Sequence, residues 1–560
     1  YASSIAVIGD TQTLVEMDAK DGTSYTSAIY DWIVANKDTK KMQYVFGLGD
    51  ITQNNTDAEW AYAKSQITKM NGVVPYTLVK GALPHDGEDQ FNKYFASEEG
   101  YTSNLNGYYK EGSVANTYST FTFGETKYLV LSLDFAAVDE VLEWGGEVIE
   151  SPEFSDHRVI VTTHCYLWKD GTTADQNEPT TALPDKKEYT SDDKYNNGDE
   201  MWDKFVSKHE NIFLVLSGHF ESNDIIASQA RGDNGNVVTQ MMINPQGFDY
   251  KQGGKTGMVC MLYFSEDGSQ MSVEWYSTYR NQYFKDVNQF DVSLNEMSLG
   301  EGVITEYGLI PARSYDPENY PYALFKKSPS QVNGVNYEYT FYACYKTLMG
   351  NAAGDITAYH EARSNLGKAS DGAVILMLRD VENTDSQPYS NLQYHSGALT
   401  LDLGGHKMID AHTYSTGLIY AYMKTSDNMM KFTVKNGDIV MDDGILVSWG
   451  QKSGLTNCGI DITFRDVDFS FAEGSTASCF VAKYSSGGYA DKIPVTFDGC
   501  TFDMANAKDG FRFSAAGHTG SVTVKNSEII NSKYTYNVNE YGYAAKKPAE
   551  GEHIAVYKNA

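Results

Sequence analysis

The sequence predicts an α/β domain of layered strands and helices followed by an all-β solenoid. In the first half, short apolar runs alternate with stretches whose apolar residues repeat at helical spacing. In the last third, one eight-residue phrase recurs about every thirty residues. At 560 residues the chain is also too long for a single core, so more than one domain is expected.

The strands come first. Ile5-Ala-Val-Ile-Gly leads into Asp10, and Tyr44-Val-Phe-Gly-Leu-Gly into Asp50. Val73-Val-Pro-Tyr-Thr-Leu-Val-Lys-Gly leads toward His85 and Asp86. Val159-Ile-Val-Thr-Thr ends on His164, and Ile212-Phe-Leu-Val-Leu-Ser-Gly on His219. Continuous apolar runs of this length read as strands buried on both faces. Ligands of open α/β sheets sit at the carboxyl ends of such strands. The five runs are therefore expected in one sheet, with two Asp and three His converging on a metal site. Helices are expected over 24–36, 57–70 (opened by an Asp cap), 138–149 and 199–209. Hairpins are expected from 117–123 with 127–134, and from 259–264 with 271–276. The first domain is placed at 1–292. A connector carrying Pro311 and Pro329 follows at 293–334, and a second domain at 335–560.

The second domain repeats itself. Phe432-Thr-Val-Lys-Asn-Gly-Asp-Ile439 is followed by copies starting at Ile462, Val495 and Val522, with a looser one at Leu399. A strand, turn, strand unit of this period cannot bury its apolar side alone and is expected to stack on its neighbours. Phe432, Val434, Ile462, Phe464, Val495, Phe497, Val522 and Val524 are expected as inward-facing ladders. Asn, Asp or Gly at the fifth place suits a bend with unusual backbone angles. These phrases resemble the right-handed parallel β-helix of pectate-lyase-like proteins. The resemblance implies an architecture and no activity.

Charge narrows the function. Asp and Glu number 74 against 44 Lys and Arg, a net charge of −30. That opposes wrapping of nucleic acid but leaves a small phosphate ester open, since bound cations reverse the local field. The six Cys show no CxxC pair and read as buried thiols. No apolar run reaches the length of a transmembrane span. The chain opens almost inside its first strand, as expected of a mature protein whose signal peptide has been removed. With 41 Tyr and abundant Asn, Gly and Thr, it has the style of a secreted or surface-displayed bacterial protein.

The strand-end motifs resemble those of the calcineurin-like metallophosphoesterases. The family order is Asp-x-His, Gly-Asp, Gly-Asn-His-Asp, a lone His, then Gly-His-x-His. This chain has Gly9-Asp-Thr-Gln12, Gly49-Asp50, Gly81-Ala-Leu-Pro-His-Asp86, Thr163-His164 and Gly218-His-Phe-Glu221 in that order. An Asp after a strand can also cap the next helix, and a single His there is more often an interior residue. The shared order is what favours ligands. The resemblance implies a calcineurin-like α/β sandwich. Asp10, Asp50, His164 and His219 would be metal ligands, His85 the proton donor, and Asp86 its orienting partner. Gln12 stands in place of one family His and Glu221 in place of another, while Ala82 replaces the Asn. Gln12 and Glu221 remain candidate oxygen ligands. With Asp10 and Asp50 they make an all-oxygen set that favours Mn, Mg or Ca over Zn.

The expected activity is extracellular hydrolysis of a phosphomonoester or phosphodiester, small or polymeric, by metal-bridged hydroxide. One or two divalent ions (Mn, Mg, Ca, Fe or Zn) would serve, with the β-helix targeting a glycan or cell wall. The alternative is a pseudoenzyme with a degraded site that acts as an adhesin or glycan-binding protein. A chain cut near residue 295 is expected to keep whatever esterase activity exists.

Overall fold

The computed structural model describes residues 1–175, 195–246, 256–300, 302–332, 335–346, 355–366, 372–383, 392–394, 397–411, 417–423, 429–451, 455, 458–483, 494–508, 511–514 and 522–532. The chain forms two compact units. The first is Tyr1–Ser314 with Ser328–Thr340, and the second is Tyr315–Lys327 with Phe341–Ala560.

The first unit is a sandwich of two seven-stranded sheets. One sheet is built on β1 (Ser3–Ile8), β2 (Met42–Gly47) and β3 (Tyr76–Leu78), which run parallel. The other holds β4 (Gly107–Tyr108), β5 (Thr117–Phe123), β6 (Thr126–Ser132), β7 (Arg158–Thr162), β8 (Ile212–Ser217), β9 (Ile226–Arg231) and β10 (Val237–Met242). Its order is β4-β5-β6-β7-β8-β10-β9, with β6, β7, β8 and β10 parallel. The hairpin of β11 (Met258–Phe264) and β12 (Gln270–Ser277) extends the first sheet by pairing antiparallel to β1.

Alternation along the strands builds the layers. Ile5, Val7 and Phe46 share one core with Val130, Ile160, Leu214 and Leu216, between the sheets. Ala6, Ile8 and Val45 face outward into a second core. There they meet α1 (Gln12–Asp21), α2 (Tyr25–Asn36), α3 (Asp57–Ile67) and α4 (Glu88–Phe95). Val159, Val161 and Val215 face a third core, shared with the helices Asp139–Glu150 and Gly198–Lys204. The result is a four-layer α/β/β/α arrangement.

Several expectations change. The five runs do not lie in one sheet: β1 to β3 are in one and β7 and β8 in the other. A run buried on both faces fits either sheet, so its pattern does not name its partners. The cap of α3 is Thr56, not Asp57; its side chain accepts from the Glu59 amide while Glu59 reaches back. The expected connector 293–334 contains the strands Val303–Thr305, Gly308–Ile310 and Tyr322–Val332. The last pairs with Val335–Tyr345. Because 328–340 belongs to the first unit, that unit does not end near residue 295.

In the second unit the repeated phrases pair in parallel and in register. Phe432, Ile462, Val495 and Val522 follow one another across neighbouring strands, as do Val434, Phe464, Phe497 and Val524. All eight are buried. Phe464 stacks on Phe497 with ring centroids 4.9 Å apart. The fifth place of each phrase is left-handed, with φ of 59° at Asn436, 53° at Asp466, 70° at Gly499 and 51° at Asn526. A second parallel sheet runs Leu392–Tyr394, Ile419–Met423, Ile445–Gln451, Cys479–Lys483 and Arg512–Ser514. All six Cys are buried free thiols. The sequence after residue 532 lies outside the described residues, as do His395, His412, His518 and His553. Among the described residues, no helix is long and apolar enough to cross a membrane.

Candidate metal centre

The polar residues that follow β1, β2, β7 and β8 meet just past the carboxyl ends of those strands. The ladders continue past the strand ends and hold these segments in place. The Thr11 amide donates to the Asp50 carbonyl at 3.1 Å, and the Gly218 amide to the His164 carbonyl at 2.8 Å. Glycine is required for close approach: a Cβ on Gly81 would lie 2.1 Å from Oδ1 of Asp50, and one on Gly218 would lie 2.3 Å from Oδ1 of Asp10. Asp50 and His219 adopt φ of 44° and 71°, a conformation that is rare away from glycine and gathers at functional sites.

Asp50, His164 and His219 offer ligand atoms that all lie within 4.8 Å of one another. Nε2 of His164 is 3.1 Å from Oδ1 of Asp50 and 3.1 Å from Nδ1 of His219. Nδ1 of His164 is 2.7 Å from the Leu48 carbonyl, so that nitrogen carries a proton and donates. A lone pair on Nε2 cannot rest against a carboxylate. Either a second proton or a cation must stand between them. Donor atoms around a tetrahedral ion stand ~3.4 Å apart when each bond is about 2.1 Å, so the three residues fit a divalent ion.

The electrostatics show the same demand for positive charge. Burial disfavours a charged His164, yet Asp50 and Asp10 outweigh it and raise its pKa to about 9. Burial raises Asp50, but His164, His219 and His85 bring it down to about 2. Burial, reinforced by the Asp50 charge and only partly offset by His164, pushes Asp10 well above the usual carboxylate range.

Asp10 is fully buried beside the triad. It accepts the His219 amide at 3.2 Å on both oxygens and the Asn244 side chain at 2.8 Å. Gln12 opens α1 and donates to Oδ2 of Asp50 at 3.1 Å. Its Oε1 is buried with no hydrogen-bond partner, an orphan that suits a second cation. Glu221 is half-buried and stands outside the triad. Before it, Phe220 buries its ring against Trp168.

His85 and Asp86 do not pair as expected. Nδ1 of His85 is 2.8 Å from the Gln53 carbonyl. Asp86 instead accepts the amides of Ile51, Thr52 and Gly81 at 2.9 to 3.0 Å. It ties the segments after β2 and β3 together, and burial with the nearby Asp50 charge raises its pKa to about 6. Ala82, where the family motif has Asn, brings no side-chain ligand; its amide donates to Oδ1 of Asp50 at 2.9 Å.

Sequence reasoning missed Asn244, which bridges Asp10 and the His219 carbonyl (3.0 Å). Its signal was the same as for the others, a polar residue just past the buried strand β10. It also missed the ion pair of buried Lys80 with half-buried Asp134 at 3.0 Å, which joins the ends of β3 and β6.

No family model matches the chain. A Bacillus subtilis (strain 168) protein named uncharacterized protein YvnB is 24% identical over 295 residues, covering 50% of this chain and 21% of that one. The chain thus spans about a fifth of that relative's length. Among solved structures, a purple acid phosphatase from yellow lupin seeds matches with a TM-score of 0.34 and 13% identity, covering 52% of this chain and 53% of its own. A dimetal phosphatase from Danio rerio matches at 0.31 and 11%, covering 51% and 99%. A 5'-nucleotidase precursor from Thermus thermophilus matches at 0.29 and 9%, covering 49% and 54%.

Proposed function

We propose that the chain is an extracellular metal-dependent phosphoesterase acting on a phosphomonoester or phosphodiester. The contact of Asp50, His164 and His219 carries this reading, because a carboxylate and two imidazoles offer ligand atoms within 4.8 Å of one another and a divalent ion among them would satisfy the Nε2 of His164 that faces Asp50. A divalent ion bound there supplies polarisation of a phosphoryl oxygen and a water of lowered pKa. Asp50, His164 and His219 would hold one ion, and Asp10 and Gln12, with Asp50 shared, a second. Asn244 and the His219 amide orient Asp10, and the Leu48 carbonyl fixes the His164 tautomer. His85 keeps Nδ1 on the Gln53 carbonyl, which leaves Nε2 to deliver a proton to the leaving oxygen.

The parallel ladders of the second unit support a pectate-lyase-like β-helix. Its right-handed sense rests on the general rule for parallel crossovers. Its role would be attachment to a surface glycan or cell wall, and the secreted location rests on composition alone. A second reading, a degraded phosphoesterase fold serving as an adhesin, draws support from Ala82 at the family's Asn position and from Glu221 outside the triad.

The test is turnover of p-nitrophenyl phosphate and bis-p-nitrophenyl phosphate by the full chain, stripped with chelator and reloaded with Mn²⁺. Turnover should require the ion, and Asp50→Asn should lower it by more than about a hundredfold. Turnover that survives both chelation and Asp50→Asn would overturn the mechanism. Stoichiometric Mn²⁺ binding without turnover would favour the adhesin.

A further inference from the structure

The hairpin of Tyr322–Val332 and Val335–Tyr345 follows the last candidate ligand by a hundred residues or so. Its outer part, Ser328–Thr340, nevertheless packs into the unit that contains the metal centre. Thr340 is 3% exposed and its hydroxyl both donates and accepts. It donates to the Ser328 carbonyl at 2.8 Å and accepts from Nε1 of Trp168 at 3.2 Å.

Trp168 is four residues past His164 and belongs to the same small loop. Its amide donates to the Thr172 carbonyl at 2.8 Å, and the Ala174 amide to Tyr166 at 2.9 Å. The indole meets Phe220 edge-on with centroids 4.4 Å apart. Phe220 meets His219 at 4.7 Å, and His219 meets His164 at 4.9 Å. Phe135 lies 5.2 Å from His219 and 5.9 Å from His164. Phe135 thus packs on both imidazoles, and a wall of Phe220 and Trp168 meets the His219 ring. The polar end of that wall is fixed by a single hydrogen bond, to Thr340.

We infer that Thr340 is a positioning residue for the metal centre, acting through Trp168 and Phe220 on the His219 and His164 rings. The inference rests on the reading of that centre as a cation site. It places a requirement of the phosphoesterase unit on a strand well downstream of every motif. A hydrogen bond fixes an indole only if both partners are present, and a buried N–H left unpaired drives its side chain to move. Small displacements of ligands weaken a cation site because its geometry is set by the residues behind them.

The experiment uses the full chain and the variants Thr340→Val, Thr340→Ser, Trp168→Phe and Asp50→Asn. Two quantities are measured: Mn²⁺ affinity by calorimetry, and amide hydrogen exchange in the metal-free protein. Thr340→Val should raise exchange in segments 164–168 and 218–220 by about tenfold while β1 and β2 stay at wild-type rates. It should weaken Mn²⁺ binding by about tenfold, and Thr340→Ser should restore both. Unchanged exchange in those two segments would overturn the coupling. If Thr340→Val loosens the whole unit, Trp168→Phe decides instead, since it keeps a ring at 168 and removes only the indole and its N–H. Local loosening there supports the inference, and wild-type exchange overturns it. Wild-type Mn²⁺ affinity in Asp50→Asn would overturn the cation reading itself and leave the exchange result to judge the packing alone.

Discussion

Asp170 is enclosed, and only one of its oxygens is bonded, to the Thr172 amide at 3.0 Å and the Thr172 hydroxyl at 2.6 Å. Its Oδ2 has no hydrogen-bond partner. Burial raises its pKa from 3.8 to about 6, against the pull of Thr172. Between those values the folded chain holds a proton that the unfolded chain has released. Stability therefore falls as pH rises through that window, and the whole penalty is present above about 6. Asp170→Asn should raise unfolding free energy by about 1–3 kcal/mol at neutral pH and change it little below the unfolded pKa. Urea denaturation at both pH values checks this, and an equal gain at each would contradict it. At His85, replacement by Gln should slow alkyl phosphates by about a hundredfold or more while sparing p-nitrophenyl esters, whose leaving group needs no proton. Equal losses on both would remove His85 as the acid. At this scale the sequence was readable wherever a residue follows a buried run directly, as Asp10, Asp50, His164 and His219 do. It was not readable for Asp86, whose partners are backbone amides more than thirty residues away as well as nearby. Position alone did not reveal that Gln53 would take the ring nitrogen of His85.

The elements were legible in proportion to their patterning. β1, β2, β7 and β8 are buried along nearly their whole length, and their apolar runs stand out. α1 was missed: it begins two residues after Asp10, has no side-chain cap, and is polar or charged at Gln12, Thr13, Glu16, Asp18, Lys20 and Asp21. This matters for the site, because the helix start is what turns Gln12 toward Asp50. α3 is the opposite case, with a reciprocal Thr56–Glu59 cap. Thr56→Ala should lower stability by about 1 kcal/mol, measured by denaturant midpoint at constant slope. No loss would mean that the Glu59 contacts with Asn54 suffice alone. In the second unit, the fifth place of each phrase told its own conformation, since Asn, Asp and Gly all adopt the left-handed corner there.

At the scale of the molecule, the repeats and the strand-end motifs separated two kinds of architecture, but not where one unit stops. By sequence, 322–334 falls in a connector and 335–345 at the start of the β region. The outer half of the hairpin they form packs with the first unit through contacts such as Trp168 to Thr340, separated by 172 positions. Only the fold reveals a pairing at that distance, and a chain ended at residue 295 would lack it. The central claim is that a divalent ion binds between Asp50, His164 and His219, past the carboxyl ends of β2, β7 and β8. Anomalous X-ray scattering from crystals of the full chain grown with Mn²⁺ tests it most directly. The expected result is a peak about 2.2 Å from Oδ1 of Asp50, Nε2 of His164 and Nδ1 of His219. A map with no peak among these three side chains at saturating Mn²⁺ would contradict it.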